Sequence, residues 1–184
     1  MPLTPRRAAL VCHPGTLSPW ERHVEATVSR REDSKLALSF ALWGDLGTLL
    51  VPEAGPQRRG EKLWQHTCFE LFVGAKDEPA YCEFNFAPSR EWAAYSFRRY
   101  RESLPMSGEG LVEEIHVNSG KEIIRLDAIV HLDLLPIPAR APLRLGLSAV
   151  LEEQDGALGY WALRHPPAKP DFHHDDAFAL ILDR

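Results

Sequence analysis

The feature of this sequence that most constrains its fold is the alternation of apolar and polar side chains in short segments that end at turn residues. The pattern is clearest between Leu63 and Tyr100. Three predicted strands lie there, Thr67–Val73, Tyr81–Phe86 and Trp92–Phe97. Proline and small polar residues separate the strands, and such residues interrupt strands and favour turns. This segment is therefore predicted to be three antiparallel strands.

The two faces of this predicted sheet differ in chemistry, because successive side chains of a strand point to opposite sides. One face is apolar and carries Phe69, Leu71, Val73, Cys82, Phe84 and Phe86. The other face carries Glu70, Glu83 and Asn85 among aromatic side chains. Such a face suits a polar ligand. An ordinary solvated sheet face is the alternative that spacing leaves open.

Alternation or short apolar runs recur along the rest of the chain. The remaining predicted strands are Arg7–Cys12, His23–Arg30, Lys35–Trp43, Leu111–Val117, Lys121–Leu132, Leu143–Glu152, Gly159–Leu163 and Ala177–Leu182. Loops are predicted at Pro52–Gly60 and Ser103–Gly110, and no long amphipathic helix is predicted. Many short strands at this spacing predict an all-β fold, an antiparallel β-sandwich of jelly-roll or immunoglobulin-like type. The 184 residues suit a single domain spanning 1–184.

Composition narrows the classes of partner. The net charge of -5 gives no basic footprint for nucleic acid. The run Arg98, Arg99 and Arg101 is interpreted as a solvated strand end. No apolar run is long enough to span a bilayer, and the N-terminal one is too short for a signal peptide. We therefore expect a cytoplasmic protein with neither a nucleic-acid nor a membrane partner.

The cysteines and the polar loop near the C-terminus raise the question of a metal or a disulfide. Three widely spaced cysteines predict reduced thiols, and Cys68 and Cys82 should point to opposite faces. The segment Arg164–Asp176 is rich in histidine and aspartate but matches no zinc spacing. Neighbouring side chains of an extended chain diverge, which argues against one ion shared by His173 and His174. A structural or ligand-lining loop without a metal is predicted.

Catalytic signatures are sparse. The sequence has no G-x-S-x-G, no P-loop and no G-x-G-x-x-G. Glu70 and Glu83 leave glycoside hydrolysis open as an alternative, because that reaction needs two carboxyl groups. The tryptophans favour binding instead. Trp64, Trp92 and Trp161 lie near strand ends, where an indole can stack on the apolar face of a sugar. A core position for Trp92 or Trp161 stays open.

Two segments carry a resemblance to a known family. The first is W-x-H-T-C-F-E-L-F-V with Y-C-E-F-N-F-A-P-S-x-E-W-A-A-Y, and the second is Y-W-A-L-x-H-P-P-x-K-P-D-F-H-H. They resemble DOMON-like domains related to family 9 carbohydrate-binding modules, as a stand-alone bacterial member. The likeness covers roughly Trp64–Tyr100 and Tyr160–Phe178. It implies a β-sandwich whose curved sheet face holds a sugar or, in other branches, a haem.

The resemblance also implies roles for particular residues. Trp64 and Glu70 look like the first tryptophan and the glutamate of the sugar site, and Trp161 is a looser match to the second tryptophan. Asn85 and Arg90 match further polar contacts. The chain departs from the sugar-binding modules in lacking an export signal and an attached catalytic domain. It departs from the His/Met haem branches because Met106 has no evident partner histidine, although a bis-histidine site stays open.

The sequence thus predicts a non-catalytic domain, without a cofactor, that binds a small carbohydrate or cell-wall sugar derivative. The predicted ligand-binding residues are Trp64, Glu70, Glu83, Asn85, Arg90, Trp92, Arg125, Trp161, Arg164, His165 and His173. Within this set the arginines at 125 and 164 balance the acids, and the histidines line the rim. The alternatives are a haem-binding domain and a protein-interaction domain without a small ligand.

Overall fold

The structure, a computed structural model, describes residues 4–16, 21–138 and 141–183. These residues form thirteen strands and two short 3-10 turns. The strands are β1 Arg6–Cys12, β2 His23–Arg30, β3 Lys35–Trp43, β4 Arg58–Arg59, β5 Cys68–Ala75, β6 Tyr81–Phe86, β7 Glu91–Arg99, β8 Glu102–Leu104, β9 Val112–Ser119, β10 Ile123–His131, β11 Leu143–Glu152, β12 Leu158–Ala162 and β13 Leu180–Leu182. The 3-10 turns are Leu63–Gln65 and Asp175–Ala177. No helix of the described residues is long and apolar enough to cross a membrane.

The strands form one continuous curled sheet. Its hydrogen-bonded order is β4-β7-β6-β5-β11-β12-β1-β2-β3-β10-β9, with β13 on β11 and β8 on β7. Every pair is antiparallel except β4 with β7, so the sheet is mixed. The predicted all-β fold is confirmed. The jelly-roll or immunoglobulin-like arrangement and the single-domain organisation stay predictions.

One main core lies between two halves of the sheet. Strands β1, β2, β3, β9 and β10 contribute one inner face, and β5, β6, β7 and β11 contribute the other. The Phe40 ring of β3 stacks on the Phe69 ring of β5 with 5.2 Å between centroids. Full burial of a phenylalanine stabilises the folded state by about 1.5–3 kcal/mol. The predicted apolar face is confirmed, because all six of its members lie in this core.

Some predicted boundaries are wrong for local reasons. The last strand begins at Leu180 rather than Ala177, because Asp175–Ala177 forms a 3-10 turn. The Nδ1 atom of His174 caps this turn by accepting a hydrogen bond from the Asp176 amide. Two short strands, β4 and β8, lie largely in segments predicted to be loops. The cysteines are free, and Cys68 and Cys82 lie on opposite faces as predicted.

The outer face of β5, β6, β7 and β11 is covered rather than open to solvent. Smaller apolar clusters form there, centred on Phe72, Tyr81 and Phe178 and on Cys68, Ala93 and Val150. Phe172, from the segment that follows β12, packs against both clusters. The segment 164–176 therefore lies over the mixed polar and aromatic face and encloses the site described next.

Candidate functional site

A cavity of about 420 Å³ lies between this outer face and the segment 164–176. Its polar lining combines carboxyl groups with an arginine, a hydroxyl and an imidazole, namely Glu70, Glu83, Asp171, Arg101, Ser103 and His173. Its apolar lining is mainly aromatic and consists of Trp64, Phe72, Tyr95, Phe97, Val150, Tyr160, Pro170 and Phe172. Small-molecule sites commonly combine apolar walls with a few converging polar groups, as this cavity does.

Strand register brings the two glutamates together. Glu70 of β5 lies opposite Asn85 of β6 and opposite Ser148 of β11. Glu83 of β6 lies opposite Tyr95 of β7. All these positions share one face, since side chains directly opposite across a ladder point the same way. The glutamates are only 2% and 6% exposed, so both carboxyl groups lie at the buried end of the cavity.

Glu70 is held by two neighbours. Ser148 Oγ donates a hydrogen bond to Oε2 at 3.1 Å, and Cys68 Sγ donates to Oε1 at 3.6 Å. Burial, reinforced by the charge of Glu83, raises the pKa of Glu70 to about 8, although these two donors act in the opposite direction. Burial also raises the pKa of the Cys68 thiol, so the sulfur keeps the proton that it donates.

Glu83 faces the cavity with few direct partners. Burial raises its pKa to about 7, while Asn85 and Arg101 act to lower it. Because Glu70 and Glu83 influence each other, they exchange protons as a pair rather than as separate groups. Near neutral pH these carboxyl groups are therefore at least partly protonated, and a protonated carboxyl can donate a hydrogen bond as well as accept one.

His173 stands beside Glu83 as a neutral ring. Burial, with the charge of Arg101, lowers the pKa of His173 to about 4. Its Nδ1 atom lies 2.8 Å from the Tyr81 hydroxyl, which also accepts from the Arg101 amide. If Tyr81 donates to Nδ1, the proton of the neutral ring lies on Nε2, which is 3.5 Å from Glu83 Oε2. The pair is therefore a polar contact between uncharged or singly charged groups, not an ion pair at pH 7.

Asp171 ties the covering segment to the sheet. Its carboxylate accepts from the Tyr100 hydroxyl at 2.6 Å and from Arg101 Nη2 at 2.8 Å. Burial alone would raise the pKa of Asp171, but these donors outweigh burial and lower it. The same carboxylate accepts from the His173 amide at 3.1 Å. One aspartate thus fixes both the strand end at Tyr100–Arg101 and the backbone that presents His173.

Asn85 lies beneath the cavity on the same face as the glutamates and is fully buried. It lies close enough to the Glu83 carboxyl to lower the pKa of that group, but the two side chains do not meet hydrogen-bond geometry. Neither its amide oxygen nor its amide nitrogen, however, makes a hydrogen bond among the described residues. Buried polar groups are normally hydrogen-bonded, so an amide in this position marks a site where a donor and an acceptor are available.

The structure brings four of the predicted site residues into the cavity lining, namely Trp64, Glu70, Glu83 and His173. Trp64 is 46% exposed and forms part of the mouth. Asn85 lies just below them. The ligand-binding roles of these five residues stay predictions, but their juxtaposition is a property of the fold.

The other two predicted tryptophans and one arginine lie elsewhere. Trp92 and Trp161 are buried in the main core, so the core alternative is correct for both. Their alternation positions point them to the inner face, away from the cavity. Arg90 has a left-handed backbone, with φ of 70°. Its guanidinium donates to the carbonyls of Ile115 in β9 and Gly55 in a loop, at 2.9 and 3.3 Å, and does not line the cavity.

The remaining predicted residues also lie outside the cavity lining. Arg125 is exposed on β10, in the opposite half of the sheet, and so does not balance the buried acids. Arg164 is exposed as well. His165 Nε2 lies 2.8 Å from the Val11 carbonyl, and the ring packs edge-on against His13 with centroids 4.9 Å apart. Alternation of side chains does not specify where a strand or loop lies in the tertiary fold, and so it could not place these residues.

Sequence reasoning missed several lining residues. Tyr95 and Phe97 could have been found, because their alternation in the third strand places them beside Glu83 and Tyr81. The sequence assigns Arg101 to a solvated strand end. In the structure Arg98, Arg99 and Arg101 are all exposed, and the first two pair with Glu102, but Arg101 also pairs with Asp171 and lines the cavity. That long-range pairing has no local sequence signal.

The described residues contain no group of three histidine, cysteine or acidic side chains placed to hold a metal ion. His173 and His174 point apart, as expected of neighbours in an extended chain. The first faces Glu83 and the second caps the turn at Asp175. The site is therefore a cavity of carboxyl, amide, imidazole and aromatic groups.

Comparisons with known proteins show that solved structures share this fold. No protein-family profile matches the sequence, and no curated protein matches it. Solved structures do. A protein from Bacteroides uniformis, provisionally described as carbohydrate-binding, is 11% identical with a TM-score of 0.65, and the alignment covers 94% of this chain and 83% of that one.

A family 9 carbohydrate-binding module from Caldicellulosiruptor kristjanssonii is also similar. It is 8% identical with a TM-score of 0.59, in complex with cellotriose and in complex with glucose. The alignments cover 86% of this chain and 74% or 75% of the module. This chain has the fold of these proteins. The relation to DOMON-like domains and the bacterial stand-alone origin stay predictions.

Proposed function

We propose that this protein is a non-catalytic domain that binds a small carbohydrate in the cavity over the outer face of β5, β6, β7 and β11. The observation that carries the proposal is the convergence of Glu70, Glu83 and His173 in a cavity walled by aromatic rings, with Trp64 at its mouth. The fold shared with sugar-complexed modules adds support.

The lining suits the two kinds of surface that a sugar presents. Its ring has an apolar C–H face, which packs on an indole or phenol, and polar edges, which need donors and acceptors. Trp64, Tyr95 and Tyr160 supply aromatic surface. Glu70 and Glu83 supply carboxyl oxygens, and His173 supplies an N–H. The volume of about 420 Å³ lies in the range of small-molecule sites and suits one or two sugar units.

Binding fits this arrangement better than turnover or haem ligation. Both oxygens of Glu70 already accept hydrogen bonds from Ser148 and Cys68, which leaves this carboxyl less free to act as a nucleophile. Met106 packs against the main core and does not line the cavity, so it is not placed to act as an axial haem ligand beside His173.

The first test is a thermal-shift screen of the purified protein against glucose, cellobiose, amino sugars, muramic derivatives and haemin. A ligand that binds only the native state stabilises it, by about 2.7 kcal/mol at a hundredfold excess over the dissociation constant. We expect stabilisation by one sugar class. Calorimetry with that sugar should then show loss of binding in Trp64→Ala.

Trp43→Ala is the matched control. Trp43 is partly exposed in a separate surface depression near Arg7 and His23, so its loss should leave affinity unchanged. Equal affinity of Trp64→Ala and the wild-type protein would refute the site. Stabilisation by haemin alone would support the haem-binding alternative. No response to any compound would favour a protein-interaction domain.

A further inference from the structure

Two buried carboxyl groups face the cavity without a directly paired cation. Within the described part of the chain, Glu70 accepts hydrogen bonds from Ser148 and Cys68, and both donors are uncharged. Glu83 has His173 as its nearest basic group, at 3.5 Å. Among the described residues neither glutamate makes an ion pair with lysine or arginine. Buried carboxylates are normally paired with a cationic group. The two glutamates lack such a partner and could therefore bind a cation.

The other charged groups around the cavity do not supply that charge. Arg101 is the one arginine of the lining among the described residues, and Asp171 already engages it at 2.8 Å. Its charge acts on Glu83 from a distance but is offset by its partner. The titratable groups that face the two acids are Cys68, Tyr81, Tyr95, Arg101, Tyr160, Asp171 and His173. With both glutamates ionised, the lining therefore carries a net negative charge.

The aromatic walls of the cavity also favour a positively charged ligand. Phe72, Tyr95, Phe97 and Tyr160 surround the acids. The face of an aromatic ring attracts cations, and the attraction is strongest where the cation has been desolvated. Acidic groups enclosed by aromatic rings form the usual environment for a substituted ammonium. A neutral sugar could stack on these walls and hydrogen-bond to the glutamates. It would not supply a positive charge to pair with them.

We infer that the cavity selects a carbohydrate that carries a primary ammonium group, and that this group is seated between Glu70, Glu83 and the aromatic walls. The inference rests on the proposed function and narrows it to amino sugars. It names the ligand's charge, which neither the fold nor the similar structures specify.

Binding of such a ligand has a proton signature. Without a ligand, Glu70 and Glu83 are partly protonated near neutral pH, because burial raises both pKa values. An arriving ammonium favours the ionised carboxylates, so those protons pass to the buffer while the ammonium keeps its own. Affinity should therefore rise between about pH 5.5 and pH 7. Binding of a neutral sugar should not displace the protons of the glutamates.

The test compares three ligands that share one ring. Glucosamine, glucose and N-acetylglucosamine carry an ammonium, a hydroxyl and an acetamide at the same carbon. Calorimetry at pH 7 in two buffers of different ionisation enthalpy measures affinity and proton release together. We expect glucosamine to bind at least about tenfold more tightly than glucose, with net proton release. Glu70→Gln and Glu83→Gln should each reduce this preference, and exposed Glu109→Gln should not change it.

The outcomes separate the inference from the proposed function. Equal or tighter binding of glucose overturns the ammonium inference and leaves sugar binding in place. An unchanged glucosamine preference in both glutamine variants also overturns it. Binding of an alkylammonium such as cadaverine, with no sugar binding, supports an ammonium site and refutes the sugar function. Absence of any binding refutes both.

Discussion

At the scale of single residues, the site is a set of groups whose ordinary chemistry the fold has changed. Glu70 and Glu83 have raised pKa values and His173 a lowered one, in each case chiefly through burial. Each shift favours the uncharged form, because a charge in this cavity lacks the solvation it would have in water. Such shifts concentrate at binding sites and can be measured without knowing the ligand.

The glutamates predict how stability depends on pH. Above about pH 6.5 both carboxyls are ionised in the unfolded chain, whereas the folded chain still holds protons on them. The folded state then binds more protons, so the free energy of unfolding falls as pH rises to about 8.5. The lowered pKa of His173 contributes stability that is already complete above pH 6.5. We expect a loss of roughly 2 kcal/mol, measured by urea unfolding.

Glu70→Gln should flatten this dependence, because its amide cannot ionise. Glu109→Gln, at an exposed position, should retain the full wild-type slope. A wild-type stability that stays constant or increases between pH 6.5 and 8.5 would show that these carboxyls are ionised in the folded protein.

Asn85 gives a second prediction at this scale. Its fully buried amide has no hydrogen bond among the described residues, and an unsatisfied buried polar group costs about 1–3 kcal/mol. Asn85→Leu, of similar size, should raise the free energy of unfolding of the ligand-free protein by about 1 kcal/mol. The same variant should bind the ligand more weakly, since stability gained at a site is often lost as function. Destabilisation by Asn85→Leu would mean that the amide is hydrogen-bonded in solution.

At the scale of elements, the hairpin of β5 and β6 shapes the site. Its ladder sets Glu70 against Asn85 and Phe72 against Glu83. Register in such a ladder matters greatly, because a slip of one residue would move both acids to the core face. The hairpin end is tightly packed at Gly74, where a Cβ atom would lie 2.6 Å from the Ala80 carbonyl oxygen. Backbone cannot move aside cheaply there.

Gly74→Ala is therefore expected to destabilise the protein by about 1–3 kcal/mol through overpacking. The matched control is Gly120→Ala, in the turn between β9 and β10, where the nearest atom to a new Cβ is 3.6 Å away. That change should be neutral or stabilise by up to about 1 kcal/mol. Thermal unfolding of both variants measures the difference, and equal melting temperatures would show that the hairpin end has room.

At the scale of the whole molecule, the two halves of the curled sheet are held by one core. Phe40 and Phe69 are fully buried and meet across it. The cavity depends on this packing indirectly, because the core fixes the sheet whose outer face carries the acids. Phe40→Ala should lower the free energy of unfolding by about 3–5 kcal/mol.

Leu134→Ala is the control for that change, since Leu134 is 50% exposed and surface truncations usually cost less than about 0.5 kcal/mol. Chemical denaturation of both variants provides the measurement. A loss below about 1 kcal/mol in Phe40→Ala would mean that the two halves do not depend on this contact.

The sequence by itself determined most of the strands and which side chains share a face. That was predictable because alternation is local: the direction of a side chain follows from its own strand. Glu70, Glu83 and Asn85 were placed together in this way, and Tyr95 could have been added by the same rule. Trp92 and Trp161 were ambiguous because a tryptophan near a strand end suits either a rim or a core.

Only the tertiary structure decided that the mixed face is a cavity and not an open surface. The segment 164–176 covers it because Asp171 binds Tyr100 and Arg101, about seventy positions away along the chain. The same contact brings His173 to Glu83 and draws the half-exposed Arg101 to the edge of the cavity. Pairings of this kind depend on which distant segments come together. The alternation of apolar and polar residues within a strand carries no information about that. The chemistry of the acids was thus encoded locally, whereas their burial, and with it their raised pKa values, was decided by packing.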